Sequence, residues 1–216
     1  MIRGLIIDLD NCVFDTKSMG RDFVSPIVNV LRGCERYLRT PEIFYKITDE
    51  LWNFSLEDVI ERNRIPGLIA VQMREAYQGL RAPDCSRCYE DIGILKSLPG
   101  VKILVTSGHF ELQWSKIEIV GIGGLFDEII IDAVDDPFMR KGKLKIFEEL
   151  MDKNCWEPEE ILVIGDNAFS ELAAGKELGM ITVQTLRPEV SRVEGFDHYI
   201  NVFEEINEII AVLQKF

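Results

Sequence analysis

The sequence predicts an α/β fold, a doubly wound parallel sheet interrupted early in the chain by an all-helical subdomain. Three observations carry this prediction. Short apolar runs bounded by turn residues occur at residues 4–7 and recur from residue 101 onward; helical patterns separate them; and residues 16–88 lack strand-like alternation. Buried strands alternating with amphipathic helices need a sheet covered on both faces, which parallel strands joined by right-handed crossovers provide.

Taken in order, the first strand is residues 4–7 (GLII), closed by Asp8-Leu9-Asp10. Helix starts then follow one another. Thr40-Pro41 offers an N-cap with proline at the first helical position, Ser55 with Asp58 resembles a capping box, and Pro66 opens a run of helix formers. A stretch of this length is too long for a structureless loop, so residues 16–88 are expected to form a helical insert, and residues 1–15 with 89–216 the core. A core helix is expected over residues 89–98. Strands are expected at residues 101–105 (VKILV) after Pro99-Gly100, at 129–131 after Phe126-Asp127, at 161–164 (ILVI) after Pro158, and at 181–183 after Gly179. Residues 111–119, 144–151 and 169–178 carry apolar positions at three-to-four spacing and read as the intervening helices.

Composition narrows the function classes. Acidic residues outnumber basic ones by 37 to 24 in 216 residues, a formal charge of −13, which disfavours nucleic acid or an anionic membrane as a general partner. A hydrophobic content of 47% without polar tracts excludes extended disorder. No apolar run approaches the length of a bilayer span, and residues 1–10 read as neither signal peptide nor anchor. The five cysteines are irregularly placed, which fits reduced thiols and a cytoplasmic location. Cys85 and Cys88 form one CxxC without a second pair, and read as loop thiols.

The polar residues that interrupt the apolar runs share a position. Asp8 and Asp10 follow the first strand, Thr106 and Ser107 follow VKILV, and Gly165-Asp166 follow ILVI. In a parallel sheet these ends lie on one edge, where ligands bind in open α/β folds. Clustered carboxylates raise one another's pKa, and a hard divalent cation such as Mg²⁺ relieves that cost. Each piece alone has a plain structural reading: an acidic loop, a turn, a helix N-terminus, or the surface lysines of Arg140-Lys141-Gly142-Lys143. Their order along the chain is what points to chemistry.

That series resembles the four motifs of the haloacid dehalogenase superfamily. It runs Asp8-Leu9-Asp10-Asn11-Cys12-Val13, then Val105-Thr106-Ser107-Gly108, then Lys141 ahead of Ile146-Phe147, then Gly165-Asp166-Asn167 through Glu171. The runs at residues 126–130 and 174–180 also resemble segments common between those motifs, so the likeness covers the whole core. It implies a Rossmann-like core with a helical cap after the first motif, and a phosphatase of a small phosphorylated metabolite. The implied roles are Asp8 as nucleophile and Asp10 as general acid and base. Thr106 and Ser107 would hold the phosphoryl group, and Lys141 would neutralise charge, with Lys143 the less favoured choice. Mg²⁺ would be held by Asp8, the Asp10 backbone carbonyl and Asp166, with Glu171 reaching it through water.

Three positions depart from the pattern. Cys12 stands where such phosphatases usually have threonine and reads as a small apolar filler rather than a reactive thiol; Glu171 stands where aspartate is frequent; and two lysines compete for the third motif. The pairing of Asp10 with Asp166 favours phosphoryl transfer over dehalogenation, and the second aspartate disfavours phosphonate cleavage. A phosphomutase, and a non-catalytic regulatory protein that keeps the fold, are the alternatives. Lys17, Arg21, Arg62 and Arg64 in the insert are candidates for substrate contacts, although surface roles suit them better. A chain at −13 must bind a phosphate through a local exception made by metal, lysine and backbone amides.

Overall fold

The computed structural model describes residues 1–34, 40–136, 138 and 140–214. The chain divides into two compact units, one of Met1–Thr16 with Ser86–Phe216, the other of Lys17–Cys85.

The first unit is built on six strands: β1 (Gly4–Ile7), β4 (Val101–Gly108), β5 (Glu128–Ala133), β6 (Ile161–Gly165), β7 (Ile181–Thr185) and β8 (His198–Ile200). All pair in parallel, in the order β5-β4-β1-β6-β7-β8. The chain winds outward from β1 through β4 to β5, then returns to the other side of β1 for β6, β7 and β8. Strand order thus reverses around β1, and the carboxyl ends of β1, β4 and β6 frame the crevice that such a reversal opens. Register places Ile7 opposite Leu104 on one side and Ile164 on the other, so Asp8 leaves the sheet level with these ends.

Both faces of the sheet are covered, as unbroken apolar strands require. One face carries Ile6, Ile103, Val105, Ile161 and Val163, packed with Ile146, Phe147 and Leu150 of α6 (Lys143–Asn154) and Leu172 and Ala174 of α7 (Glu171–Glu177). Alternation turns Leu5 and Ile7 to the opposite face, where they are also fully buried. The expected helix at residues 89–98 is a 3-10 run, Glu90–Lys96. The sequence reading missed β8, α8 (Glu205–Leu213), and an antiparallel pair of two-residue strands, β2 (Phe14–Asp15) and β3 (Arg87–Cys88).

The second unit consists, among its described residues, of helices and turns. It contains α1 (Ser25–Gly33), α2 (Pro41–Asn53), α3 (Leu56–Arg62) and α4 (Gly67–Gln78), around a core that includes Ile27, Leu31, Ile47, Val59 and Met73. The α3 start behaves as its sequence suggests, with the Ser55 hydroxyl accepting a hydrogen bond from the Asp58 amide at 3.1 Å. Arg62 stacks over the Phe54 ring at 4.0 Å and Arg21 lies 3.7 Å from Asp49, contacts made within the unit itself.

Close packing beneath β1 depends on Gly4. A Cβ at this position would lie 2.6 Å from Cζ3 of the buried Trp156. Gly4→Ala should therefore lower stability by about 1–3 kcal/mol through overpacking. The check is a urea titration, in which the midpoint falls while the slope is kept.

Candidate active site

The turn after β1 separates its two aspartates by direction. Leu9 accepts backbone hydrogen bonds from Val13 at 3.0 Å and Phe14 at 2.8 Å, and Asn11, at φ 49°, occupies the left-handed region that such a tight reversal needs. Asp8 stays level with the sheet, its amide bonded to the Ile164 carbonyl at 2.9 Å. Cys12 is fully buried in this turn, with its thiol 3.7 Å from the same carbonyl. Burial raises the pKa of that thiol well above the ordinary value, so it stays protonated and packs as an apolar filler. Burial likewise pushes the Cys88 thiol up to about 12.

Asp8 meets Lys143. The ammonium of Lys143 donates to Asp8 Oδ1 at 2.6 Å and to Glu171 Oε2 at 2.6 Å, and all three side chains are buried. The structure places Lys143, rather than the Lys141 favoured from the sequence, beside Asp8. Lys141 points outward and pairs with Glu149 at 2.7 Å, half exposed. The reason lies in the loop ahead of α6. Buried Asp132, at the end of β5, accepts hydrogen bonds from the amides of Lys141 at 2.7 Å and Gly142 at 3.2 Å, and Gly142 takes φ 81° as the helix N-cap. The helix therefore begins at Lys143, and its first side chain is the one delivered to the crevice.

Glu171, the first residue of α7, also receives the Asn167 amide on Oε1 at 2.7 Å, so both its oxygens are engaged within the protein. A Cβ at Gly165 would overlap this carboxylate, which is why β6 ends in glycine here. Asp166 completes the group: among the described residues, Asp8, Asp166 and Glu171 each present an oxygen within 4.8 Å of the others. Burial is the largest influence raising the Asp8 pKa well above the usual carboxylate range, opposed by the Lys143 charge. Burial, then the charges of Glu171 and Asp10, pushes Asp166 up to about 7. For Lys143, burial alone would lower the pKa, and the charges of Asp8 and Glu171 outweigh it and raise it.

Asp10 has different partners. Its carboxylate accepts both oxygens' worth of contact from Lys116 Nζ, at 2.7 and 2.9 Å, together with Gln113 Nε2 at 2.8 Å and the Thr16 hydroxyl at 3.0 Å. Burial would raise its pKa, but the Lys116 charge and these hydrogen bonds hold it below the ordinary value. Thr106 is buried at the end of β4 and accepts Gln113 Nε2 at 2.6 Å, while the Ser107 hydroxyl turns aside to Asp132 Oδ2 at 3.3 Å. Sequence reasoning missed Gln113, Lys116, Asp132 and Thr16. Gln113 and Lys116 lie at i and i+3 on the buried side of α5 (Phe110–Ile119), a placement that the sequence alone does not mark.

The carboxylate set fits a divalent cation by its chemistry. Two buried acids, Asp8 and Glu171, and the half-buried Asp166 share one ammonium, and burial together with neighbouring carboxylate charge raises the pKa of Asp8 and Asp166, the situation that a hard oxygen-binding ion relieves. The model of the haloacid dehalogenase-like hydrolases matches residues 2–179.

The chain belongs to the haloacid dehalogenase-like hydrolases. Among curated proteins, it is 31% identical over 209 residues to a glyceraldehyde 3-phosphate phosphatase of Methanopyrus kandleri, covering 90% of this chain and 88% of the relative. It is 30% identical over 120 residues to the protein of that name in Methanocaldococcus jannaschii, and that match spans 54% of this chain and only 52% of the relative. Among solved structures, a haloacid dehalogenase-type phosphatase from Thermococcus onnurineus superposes with a TM-score of 0.67 at 19% identity, over 97% of this chain and 98% of that one. No helix among the described residues is long and apolar enough to cross a membrane.

The raised Asp166 pKa has a sign that can be checked on metal-free protein. A folded pKa of about 7 against an unfolded value near 4 means that the native state keeps a proton the unfolded chain releases. The contribution to stability is complete below about pH 4 and is lost as pH rises through about 7. In EDTA, Asp166→Asn should therefore gain more stability over the wild type at pH 8 than at pH 5. Urea midpoints at the two pH values give the comparison, and an equal gain at both would contradict it.

Proposed function

We propose that this protein is a Mg²⁺-dependent phosphatase that hydrolyses a small phosphomonoester through an aspartyl-phosphate on Asp8. The single observation that carries the proposal is the buried ammonium of Lys143 bridging Asp8 and Glu171 beside Asp166, at the strand-order reversal of the sheet. The relatives named glyceraldehyde 3-phosphate phosphatase support a three-carbon alkyl phosphate as the substrate class. The helical unit Lys17–Cys85 is read as the cap that selects the leaving group.

In this reading the Asp8 carboxylate attacks phosphorus, the bond to the leaving oxygen breaks, and the phosphoryl group is carried on Asp8 until water displaces it. Lys143 withdraws charge from the phosphoryl oxygens as they approach Asp8, a role suited to a compact ammonium with several donors. Asp8 and Asp166, with the Asp10 backbone carbonyl, would hold Mg²⁺, with Glu171 acting through Lys143 and the Asn167 amide. When bound, the ion supplies Lewis-acid stabilisation of the phosphoryl charge. Asp10 is held as a carboxylate in the free protein, which suits it to take the proton from attacking water. Donation to the leaving oxygen in the first step follows when a phosphate dianion arrives beside it, because a like charge raises the proton affinity of a carboxylate.

Phosphate release from glyceraldehyde 3-phosphate and p-nitrophenyl phosphate, with Mg²⁺ or with EDTA, tests the reading. Turnover should need Mg²⁺ and vanish in Asp8→Asn. Lys143→Met should lower kcat by about 10² or more, whereas Lys141→Met should stay within about twofold. Activity that survives Asp8→Asn, or that depends on Lys141 rather than Lys143, would overturn it.

A further inference from the structure

The Gln113 amide on α5 makes four contacts of defined direction. Its Nε2 donates to Asp10 Oδ2 at 2.8 Å, to Thr106 Oγ1 at 2.6 Å and, at the longer distance of 3.4 Å, to the Ser107 carbonyl, and its Oε1 accepts Lys116 Nζ at 2.6 Å. Side-chain amides can face either way, but this one cannot turn. Lys116 is only a donor, so the oxygen must face it, and the nitrogen must then face the two oxygens of Asp10 and Thr106. Lys116 spends its remaining donors on both oxygens of Asp10. Both side chains are buried, at 2% exposure for Gln113 and 4% for Lys116, so water does not substitute for these contacts.

Two consequences follow for the groups so held. Thr106 Oγ1 is used as an acceptor by Gln113, which leaves its own proton free to be donated away from Gln113. Asp10 is gripped at both oxygens by donors from one helix, which sets the plane of its carboxylate. A carboxylate that exchanges a proton with a leaving oxygen must lie within hydrogen-bond reach of it, and small displacements are costly.

We infer that Gln113 and Lys116 form a positioning pair that locks the acid/base Asp10 and the phosphate-facing hydroxyl of Thr106 to each other through a single amide. Neither residue touches the reacting atoms; each acts through Asp10 and Thr106. The inference rests on the phosphatase reading of the site and adds to it a determinant of which leaving groups the enzyme handles well. An alkoxide needs a well-placed proton donor, whereas p-nitrophenolate leaves with little help. Loss of the pair should therefore fall unequally on the two kinds of substrate.

The experiment compares kcat/KM for glyceraldehyde 3-phosphate and for p-nitrophenyl phosphate in the wild type, Gln113→Glu and Gln113→Met. The first variant keeps the acceptor toward Lys116 and removes the donor; the second keeps the volume and removes both. Both avoid deleting the buried Lys116 charge, whose loss would strand Asp10. The alkyl phosphate should fall by about 10² and the aryl phosphate by no more than about tenfold, in both variants. Thermal unfolding run in parallel tells which variant remains folded, and one folded variant is sufficient. Equal losses on the two substrates, or no loss on either, in a folded variant overturn the positioning role while leaving the phosphatase reading intact. A wild-type protein that turns over neither substrate overturns the phosphatase reading and this inference with it.

Discussion

The site is organised by one buried ammonium between two buried carboxylates. Lys143 lies 2.6 Å from Asp8 and 2.6 Å from Glu171, and each of the three comes from a different part of the chain: the end of β1, the start of α6 and the start of α7. A charge triad of this kind is expensive to bury, and removing any one member leaves an uncompensated charge in a dry crevice. Its geometry is therefore enforced from outside. Asp132 holds the loop that starts α6 at Lys143, Gly165 makes room for the Glu171 carboxylate, and the parallel register sets Asp8 beside the Ile164 carbonyl. With Asp166 added, the crevice still holds more negative charge than one lysine balances. Burial, with the neighbouring carboxylate charges adding to it, raises the pKa values of Asp8 and Asp166, and the excess suits the site to a divalent cation.

A second lysine solves a different problem. Asp8 and Asp10 are two residues apart, and two carboxylates so close in sequence would raise each other's pKa if both faced the same space. The turn sends them to separate cations, Asp8 to Lys143 and Asp10 to Lys116, and the two environments push their pKa values in opposite directions. Such a split is how neighbouring acids take different chemical roles. In a chain of net charge −13, both lysines are thus placed inside the acidic crevice rather than on the surface around it.

Much of this was legible in the sequence because buried parallel strands advertise themselves. The runs GLII, VKILV and ILVI mark β1, β4 and β6, and the polar residues that end them are the ones the sheet brings together. What escaped has identifiable physical causes. Choosing between Lys141 and Lys143 required knowing that Asp132 binds the amides of Lys141 and Gly142, a contact between residues nine and ten apart that leaves no periodic trace. Gln113 and Lys116 resemble solvent-facing positions of an ordinary helix, because a polar residue on a buried face carries the same letter as one on an exposed face. The β2 and β3 strands are two residues each, too short for alternation to register, and β8 with its sequence HYI lacks the apolar run of the central strands.

The central claim is that the carboxylate facing Lys143 becomes covalently phosphorylated. The most direct measurement is an acid quench of the protein during turnover of a ³²P-labelled phosphomonoester, followed by reductive trapping of the acyl phosphate and peptide mapping. Label, or the reduction product, is expected on the peptide bearing Asp8 and confined to that residue. Phosphate released during turnover without any acid-stable, Asp8-linked label, or label found on Asp10 instead, would contradict it.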